Sequence, residues 1–216
     1  MNGYASCTEA RSGRENHDRW AADPTAGWFV VADGIGSLAD AGATAQVVVD
    51  RIAAGVPAGS TSALRTVLAG VSDHVRATAR YGPGNAGAAV VVLEVRADTV
   101  LTAHLGDCRV LLLRAGRLLP LTADHRRDDG ALTRFAGMPG PADPAVAEHR
   151  REPDDLLVLA SDGLTVLDDA AIAAELADVA AGHRAPDTAC AALVVRARAA
   201  GGTDDVTVLL VAPGTA

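Results

Sequence analysis

The stretch Trp28-Phe29-Val30-Val31-Ala32-Asp33-Gly34-Ile35-Gly36 joins an apolar run of strand length to a carboxylate and a turn of small residues. Such a run predicts a buried strand, and a buried strand gives the residue at its end a rigid base. Asp33 would be costly to desolvate there unless a cation or hydrogen-bond donors satisfied it. Gly34 and Gly36 allow close backbone approaches that a Cβ would forbid, so a main-chain carbonyl could reach a ligand. The stretch therefore predicts a site at the end of a core strand.

The composition bounds the class of protein. The 216 residues are 49% apolar and 21% charged, which is enough for one sizeable core, and we predict a single domain over residues 1–216. The net charge of -8 argues against a nucleic-acid partner. Carboxylates are also the oxygen ligands that Mg²⁺ and Mn²⁺ prefer. The charge therefore favours a divalent cation over a nucleic acid.

The cysteines and the apolar runs indicate a compartment. Cys7, Cys108 and Cys190 are odd in number and lack metal-ligand spacing, which fits a reducing environment better than a disulfide framework. No apolar run approaches the roughly 18 residues of a membrane span, and the first residues lack the pattern of a signal peptide. We expect a cytoplasmic protein without a membrane partner.

Helical spacing of apolar residues predicts helices over residues 37–55 and 61–80, with no strand between them. The segment Gly34-Ile35-Gly36-Ser37-Leu38-Ala39 also matches the loose G-x-G-x-x-A dinucleotide fingerprint. That alternative requires a parallel strand after the first helix and would place Asp33 near the pyrophosphate as a like charge. Two more helices are predicted over 168–181 and 187–199, the second capped by Asp187 behind Pro186.

Short apolar runs predict strands over residues 89–95, 100–105, 110–114 and 118–121. Their hairpin intervals indicate an antiparallel meander, and hence part of a sandwich or barrel. Residues 122–153 are predicted to be irregular surface, apart from a short helix at 131–135.

Four aspartates stand at the ends of predicted strands. Asp33 and Asp162 follow apolar runs, Asp204 precedes the last one, and residues 23–27 predict a tight turn that would bring Asp18 beside Asp33. Taken singly, Asp18 and the turn residue Asp107 are also explained as ordinary turn carboxylates. Oxygen ligands without Cys or His at zinc spacing favour Mg²⁺ or Mn²⁺, and two such ions about 3.5–4 Å apart would need a bridging carboxylate. The four aspartates therefore suggest a metal cluster.

Six motifs in order along the chain resemble those of the metal-dependent Ser/Thr protein phosphatases, the type 2C or PPM family, in a short bacterial form with a reduced flap. The motifs are R-x-x-N-E-D at residues 14–18, V-x-D-G-x-G at 31–36, V-G-D-S-R at 105–109, L-T-R-A-L-G from 132, S-D-G-L-T at 161–165 and D-N-x-T-V at 204–208. The fold that the resemblance implies is α+β, a four-layer αββα sandwich of two antiparallel β-sheets flanked by helix pairs.

The resemblance also implies a reaction and its partners. The reaction is metal-dependent hydrolysis of phosphoserine and phosphothreonine in proteins, by a hydroxide that bridges two Mg²⁺ or Mn²⁺ ions, without a phosphoenzyme. The partners are a phosphorylated protein substrate and a Ser/Thr kinase or the targets of such a kinase.

Each motif residue acquires an expected role from the resemblance. Asp33 is the catalytic bridge between the two metals, and Arg14 grips the substrate phosphate. Asp107 orients metal-bound water or contacts a weaker third ion. The other expected metal ligands are the carbonyl of Gly34 and the carboxylates of Asp18, Asp162 and Asp204.

The sequence departs from the family pattern in places that leave alternatives open. Arg14 lies four residues before Asp18 where the family usually has five, Ile35 stands where some members carry a histidine, and Asp205 replaces Asn as in sigma-regulator phosphatases. Only about six residues separate Asp124-His125 from the L-T-R motif, so we expect an open site and a third metal that is weak or absent. The alternative functions are a catalytically weak or inactive module that binds phosphoproteins and a sigma-regulator-type phosphatase.

Overall fold

The computed structural model of the chain describes residues 3–35, 38, 40–80, 82 and 85–212. Within them, ten strands form two sheets: β1 Gly3–Glu9, β2 Asp18–Asp23, β3 Trp28–Gly34, β4 Ala88–Val95, β5 Thr99–Leu105, β6 Arg109–Arg114, β7 Arg117–Pro120, β8 Ala145–Arg150, β9 Leu156–Ala160 and β10 Val206–Ala212. The helices are α1 Ala41–Ala53, α2 Thr61–Thr78, α3 Asp169–Ala180 and α4 Pro186–Ala199, and a 3₁₀ helix spans Asp162–Val166.

Both sheets are antiparallel throughout. The first has the strand order β2-β3-β4-β5-β8 and the second has the order β1-β10-β9-β6-β7. Helices α1 and α2 pack on the first sheet, and α3 and α4 pack on the second. The four-layer αββα sandwich that the resemblance implies is therefore confirmed.

Each central strand is buried on both faces, which explains why the strands read as continuous apolar runs. In β3, Trp28, Val30 and Ala32 face the layer of α1 and α2, whereas Phe29 and Val31 face the other sheet. Successive side chains of a strand point to opposite faces, so a strand between two apolar layers needs apolar residues at every position. Three apolar layers result, one between the sheets and one under each helix pair.

The helix boundaries follow local capping. Ser60 accepts a hydrogen bond from the backbone N–H of Ala63 at the start of α2, and Asp168 accepts one from Ala171 at the start of α3. The predicted cap of α4 at Asp187 is wrong. Its N-cap is Ala185 without a side-chain cap, because Pro186 at the first helical position already has the required φ.

The predicted meander is wrong at one connection. β4 pairs with β5 and β6 pairs with β7, but the turn at Gly106-Asp107 passes from the first sheet to the second. Gly106 has a φ of 104°, and a Cβ on it would overlap the Cβ of Ala89. The crossing thus depends on a glycine that the spacing alone presents as an ordinary hairpin turn.

Two further expectations for residues 122–153 are wrong. The predicted helix at 131–135 is not formed, and this segment makes isolated bridges, Arg126 with Leu132 and Ala88 with Ala136. The region predicted to be irregular contains β8, whose pairing comes from the edge of β5 rather than from its own apolar pattern.

The dinucleotide alternative fails because the described strands form no parallel pair after α1. Gly36, Ser37 and Ala39 of that fingerprint lie outside the described residues, and Ser37 and Ala39 also belong to the predicted first helix. In the part of the chain that the structure describes, no helix is both long and apolar enough to cross a membrane.

Candidate metal centre

Asp33 lies where the apolar layer between the sheets ends. It continues the face of β3 that carries Phe29 and Val31, since alternate residues share a face. The β2–β3 hairpin places Asp18 directly opposite Asp33 in register, which confirms the predicted turn between the strands. Two carboxylates therefore replace apolar side chains at the same end of the first sheet.

The second sheet places a hydroxyl group, that of Ser161, next to these carboxylates. Ser161 follows Leu157 and Leu159 on the face of β9 that looks at the first sheet. Its Oγ–H donates to Asp18 Oδ2 at 2.7 Å and its oxygen accepts from the N–H of Thr207 at 3.0 Å. A carboxylate of one sheet is thereby held by a hydroxyl of the other.

The glycines of both Asp-Gly pairs are required by close backbone packing. A Cβ on Gly34 would overlap the carbonyl of Ala41 at the start of α1, and a Cβ on Gly163 would overlap the carbonyl of Asp205. The second contact brings the 3₁₀ helix that begins at Asp162 against the segment that leads into β10. The glycines thus let the carboxylate-bearing segments approach one another.

Asp205 ties the loop before β2 to the start of β10. One of its carboxylate oxygens accepts the N–H of Arg11 at 2.7 Å, and the other accepts the N–H of His17 at 2.8 Å. Asn16 supports the same loop, because its Oδ1 accepts the N–H of Asp18 at 2.8 Å. The sequence predicts no role for Asn16 or Asp205 beyond their motif positions. The only local pattern that points to this loop is the high density of polar residues over 12–20.

A cleft of about 430 Å³ opens at this end of the sandwich. Five of the predicted site residues line it, and Asp18 is buried beside them with 4% of its surface exposed. The residues that line the cleft are Arg11, His17, Asp33, Gly34, Ile35, Leu38, Ala89, Asp107, Arg126, Gly130, Ala131, Leu132, Phe135, Asp162, Asp204 and Asp205.

The two arginines of the first loop are placed differently. Arg14 is exposed in the loop and is not part of the cleft lining. Arg11 lines the cleft, and its guanidinium lies 3.4 Å from Asp204 Oδ1 and 3.3 Å from the Nδ1 of His17. The sequence predicts the phosphate contact at Arg14 and gives Arg11 no role, because Arg11 lies outside the motif.

Burial and mutual repulsion raise the pKa of three of these carboxyl groups. The pKa of Asp18 is raised to about 6, chiefly by burial, despite the hydrogen bond from Ser161. Burial and then the neighbouring charge of Asp18 hold the pKa of Asp33 well above its usual range. Burial and then Asp107 raise the pKa of Asp162. A bound cation would therefore stabilise the charged form of these carboxylates.

The chemistry of these donors fits Mg²⁺ or Mn²⁺. Asp18 Oδ1 and Asp162 Oδ1 are buried without a hydrogen-bond partner among the described residues, which is costly for a carboxylate unless a cation satisfies it. The side chains line one cleft, yet in the described ranges no three His, Cys, Asp or Glu side chains already stand around a common point. The fit therefore rests on the donors and their unsatisfied oxygens.

Arg126 brings a positive charge into this cluster of carboxylates. Its Nη2 donates to Asp162 Oδ2 at 2.7 Å and also to Asp107 Oδ2. The sequence predicts no role for Arg126, because no local pattern shows that its loop folds back onto both carboxylates.

Comparison with known proteins shows the family of the chain. The family model described as Protein phosphatase 2C matches residues 8–198. The Protein phosphatase PTC7 homolog fig of Drosophila ananassae is 29% identical over 177 residues, covering 72% of this chain and 52% of that protein. The chain spans about half the length of the curated relatives that it matches.

Solved structures agree over almost the whole chain. PppA, a key regulatory component of T6SS in Pseudomonas aeruginosa, superposes with a TM-score of 0.86 and 29% identity over 99% of this chain and 98% of that one. The catalytic domain of the serine threonine protein phosphatase PstP, in complex with two manganese ions, shares the fold with a TM-score of 0.79 and 23% identity over 98% and 97% of the two chains. The resemblance to this family is thereby confirmed, and the chain belongs to the protein phosphatase 2C family.

Proposed function

We propose that this protein hydrolyses phosphoserine and phosphothreonine in other proteins with the aid of two Mn²⁺ or Mg²⁺ ions. The observation that carries the proposal is the pair of buried, unpartnered oxygens of Asp18 and Asp162 in a cleft that Asp33 also lines. Family membership supports a phosphatase reaction, and the two manganese ions bound to PstP support the choice of metal. Phosphorylated proteins, together with a Ser/Thr kinase or its targets, are the partners that this reaction implies.

The metal ligands in this proposal come from four segments of the chain. Asp33 would be the ligand shared by the two ions, and the Gly34 carbonyl, Asp18, Asp162 and Asp204 would supply the other ligands. When bound, the two ions would neutralise developing charge on the phosphoryl oxygens and activate water at neutral pH. The chain itself orients the ligands, since Ser161 fixes one oxygen of Asp18, whereas the other has no hydrogen-bond partner among the described residues.

Arg11 is the phosphate contact that the geometry supports best. A guanidinium is a planar donor suited to phosphate, and that of Arg11 lies in the cleft beside Asp204. The side chain of Arg11 is 20% exposed, so the surrounding protein already limits its motion. Arg14 stays a prediction for the same role, with an exposed position in the loop.

A phosphoprotein-binding module without turnover is the second candidate. One observation favours it: Arg126 pairs with Asp107 and Asp162 and so already neutralises part of the acidic cluster. Intact aspartates at all four predicted ligand positions favour the enzyme instead.

The test is a metal-dependent assay on the purified full chain. We expect hydrolysis of p-nitrophenyl phosphate and of phosphoserine and phosphothreonine peptides with Mn²⁺, no hydrolysis in EDTA, and recovery when Mn²⁺ is returned. Asp33→Asn should abolish turnover. Asp154→Asn should not, because Asp154 is exposed and does not line the cleft. Binding of the phosphopeptides without Mn²⁺-dependent hydrolysis would favour the binding module.

A further inference from the structure

Arg126 bridges two carboxylates that belong to different segments. Asp107 lies in the turn between β5 and β6, and Asp162 begins the 3₁₀ helix after β9. The Asp107 side chain is 4% exposed and that of Asp162 is 20% exposed, so both are withdrawn from water. A single guanidinium nitrogen of Arg126 contacts an oxygen of each. The arginine therefore occupies the point where the two carboxylates face each other.

The backbone on the N-terminal side of Arg126 is held in place by side chains. Arg109 donates two hydrogen bonds to the carboxylate of Asp124, at 2.8 and 2.7 Å. His125 stacks on His104 with ring centroids 4.4 Å apart and an interplanar angle of 11°. His125 also exchanges hydrogen bonds with Gly106, donating its N–H at 3.0 Å and accepting at Nδ1 at 3.2 Å. These contacts direct Arg126 into the cleft.

The negative charges of the cleft exceed the positive charges that two divalent ions would bring. The carboxylates of the cleft are those of Asp18, Asp33, Asp107, Asp162, Asp204 and Asp205. Two divalent ions and Arg11, which lies beside Asp204, would leave one of these negative charges unmatched. Asp107 and Asp162 lie close enough for one nitrogen of Arg126 to contact an oxygen of each, so their negative charges repel each other. The guanidinium of Arg126 supplies a positive charge between these two residues without a further metal ion.

We propose that Arg126 takes the place of a third divalent ion in this site. Its guanidinium joins Asp107 to Asp162, excludes a third cation from between them, and holds Asp162 in position for the two ions of the proposed reaction. Arg126 is thus a positioning residue, and the inference rests on the proposed function because it presumes two bound ions.

A different role for Arg126 makes a different prediction. If the guanidinium only competed with the two ions, its removal would tighten their binding and leave their number unchanged. Replacement of a third ion instead predicts that removal creates a new site, whose ligands include Asp107.

The experiment counts bound Mn²⁺ by calorimetry and by electron paramagnetic resonance on the full chain. The variants are Arg126→Gln, Arg126→Lys, and Arg126→Gln combined with Asp107→Asn. The control is Arg127→Gln, because Arg127 is the neighbouring arginine, is exposed, and pairs with Asp129. The melting temperature in EDTA shows that each variant is folded.

We expect two ions in the wild type, in Arg127→Gln and in Arg126→Lys, which keeps the positive charge. Arg126→Gln should bind a third, weaker ion, and adding Asp107→Asn should return the number to two. Two ions in both the wild type and Arg126→Gln, or three in the wild type, would overturn the inference while leaving the proposed function standing. A wild type that binds no Mn²⁺ would overturn both. Three ions in Arg126→Lys, or a third ion that persists when Asp107→Asn is added to Arg126→Gln, would also contradict the inference.

Discussion

Asp18 and Asp33 face each other directly across the β2–β3 hairpin, with their side chains on the face that looks at the second sheet. Neighbouring strands are only about 4.8 Å apart, and like charges directly opposite each other are destabilising. Burial raises the pKa of both groups, and the neighbouring charge of Asp18 raises that of Asp33 further. A fold keeps such a pair when a cation that binds there offsets the repulsion.

Asp33→Asn should therefore stabilise the protein in EDTA and remove its response to Mn²⁺. The substitution keeps the size of the side chain and removes the repulsion with Asp18, so we expect a gain of about 1 kcal/mol in the metal-free free energy of unfolding. Excess Mn²⁺ should stabilise the wild type by about 2–3 kcal/mol at roughly 100 times its Kd, but not the variant. Urea unfolding with and without Mn²⁺ measures both effects, and equal or lower stability of the variant in EDTA would contradict the interpretation.

Ser161→Ala should weaken metal binding without changing any ligand. The hydroxyl donates to Asp18 Oδ2 and accepts from the N–H of Thr207, so its loss removes a hydrogen bond from a buried carboxylate and takes away the acceptor of a buried N–H. Losing an outer-shell partner typically costs 10–100-fold in metal affinity, and an unpaired buried group costs about 1–3 kcal/mol of stability. Mn²⁺ titration and urea unfolding test this against Ser62→Ala on the exposed side of α2. Equal Mn²⁺ affinities of the two variants would show that Ser161 does not orient Asp18.

The core and the strand-ending aspartates could be predicted from the sequence because both depend on local patterns. Strands buried on both faces read as continuous apolar runs, and Asp33 and Asp162 stand out because each ends such a run. β8 could not be predicted this way, since its residues are mostly half-exposed and its pairing is supplied by β5.

The contacts that complete the site depend on how distant segments meet. The turn at Gly106-Asp107 resembles a hairpin in sequence, and only the packing of Gly106 against Ala89 shows that it joins two sheets. Arg126 gains its partners from a loop whose path is set by contacts with β5 and β6. The placement of Arg11 in the cleft likewise depends on Asp205, almost 200 residues away in the sequence.

Gly34→Ala and Gly163→Ala should each unfold or strongly destabilise the protein. A methyl group on either residue would overlap a backbone carbonyl, that of Ala41 or of Asp205, and neither backbone segment can move without disturbing the cleft. We expect losses of about 3 kcal/mol or more. Gly70→Ala is the matched control, because Gly70 lies in α2 with nothing within 4 Å of its added Cβ. That change should stabilise the protein by roughly 0.5–1 kcal/mol, and similar melting temperatures for all three variants would contradict the packing argument.

Arg11→Ala and Arg14→Ala should differ in their effect on turnover. Arg11 lines the cleft and Arg14 is exposed outside it, so only the first is placed to contact a bound phosphate. A hydrogen bond to a charged group contributes about 1.5–3 kcal/mol, so we expect kcat/KM for a phosphopeptide to fall roughly 10- to 100-fold in Arg11→Ala. Arg14→Ala should stay within about twofold of the wild type. The reverse order would assign the phosphate to Arg14, as the motif spacing predicts.

His125 should make the protein lose stability as the pH falls from about 6.5 to about 4. Burial, and then the neighbouring His104, lower its pKa from 6.5 to about 4. Its Nδ1 accepts the N–H of Gly106, so only the neutral ring fits the fold, whereas the unfolded chain takes up the proton already near pH 6.5. Between these values the unfolded state binds more protons, and stability therefore decreases with falling pH.

His125→Asn keeps an acceptor without a titrating ring, so its urea midpoint should decline less from pH 7 to 4.5 than that of the wild type. His183→Asn, at an exposed position, should follow the wild type. Equal declines in all three proteins would mean that His125 is as easily protonated in the folded chain as in the unfolded one.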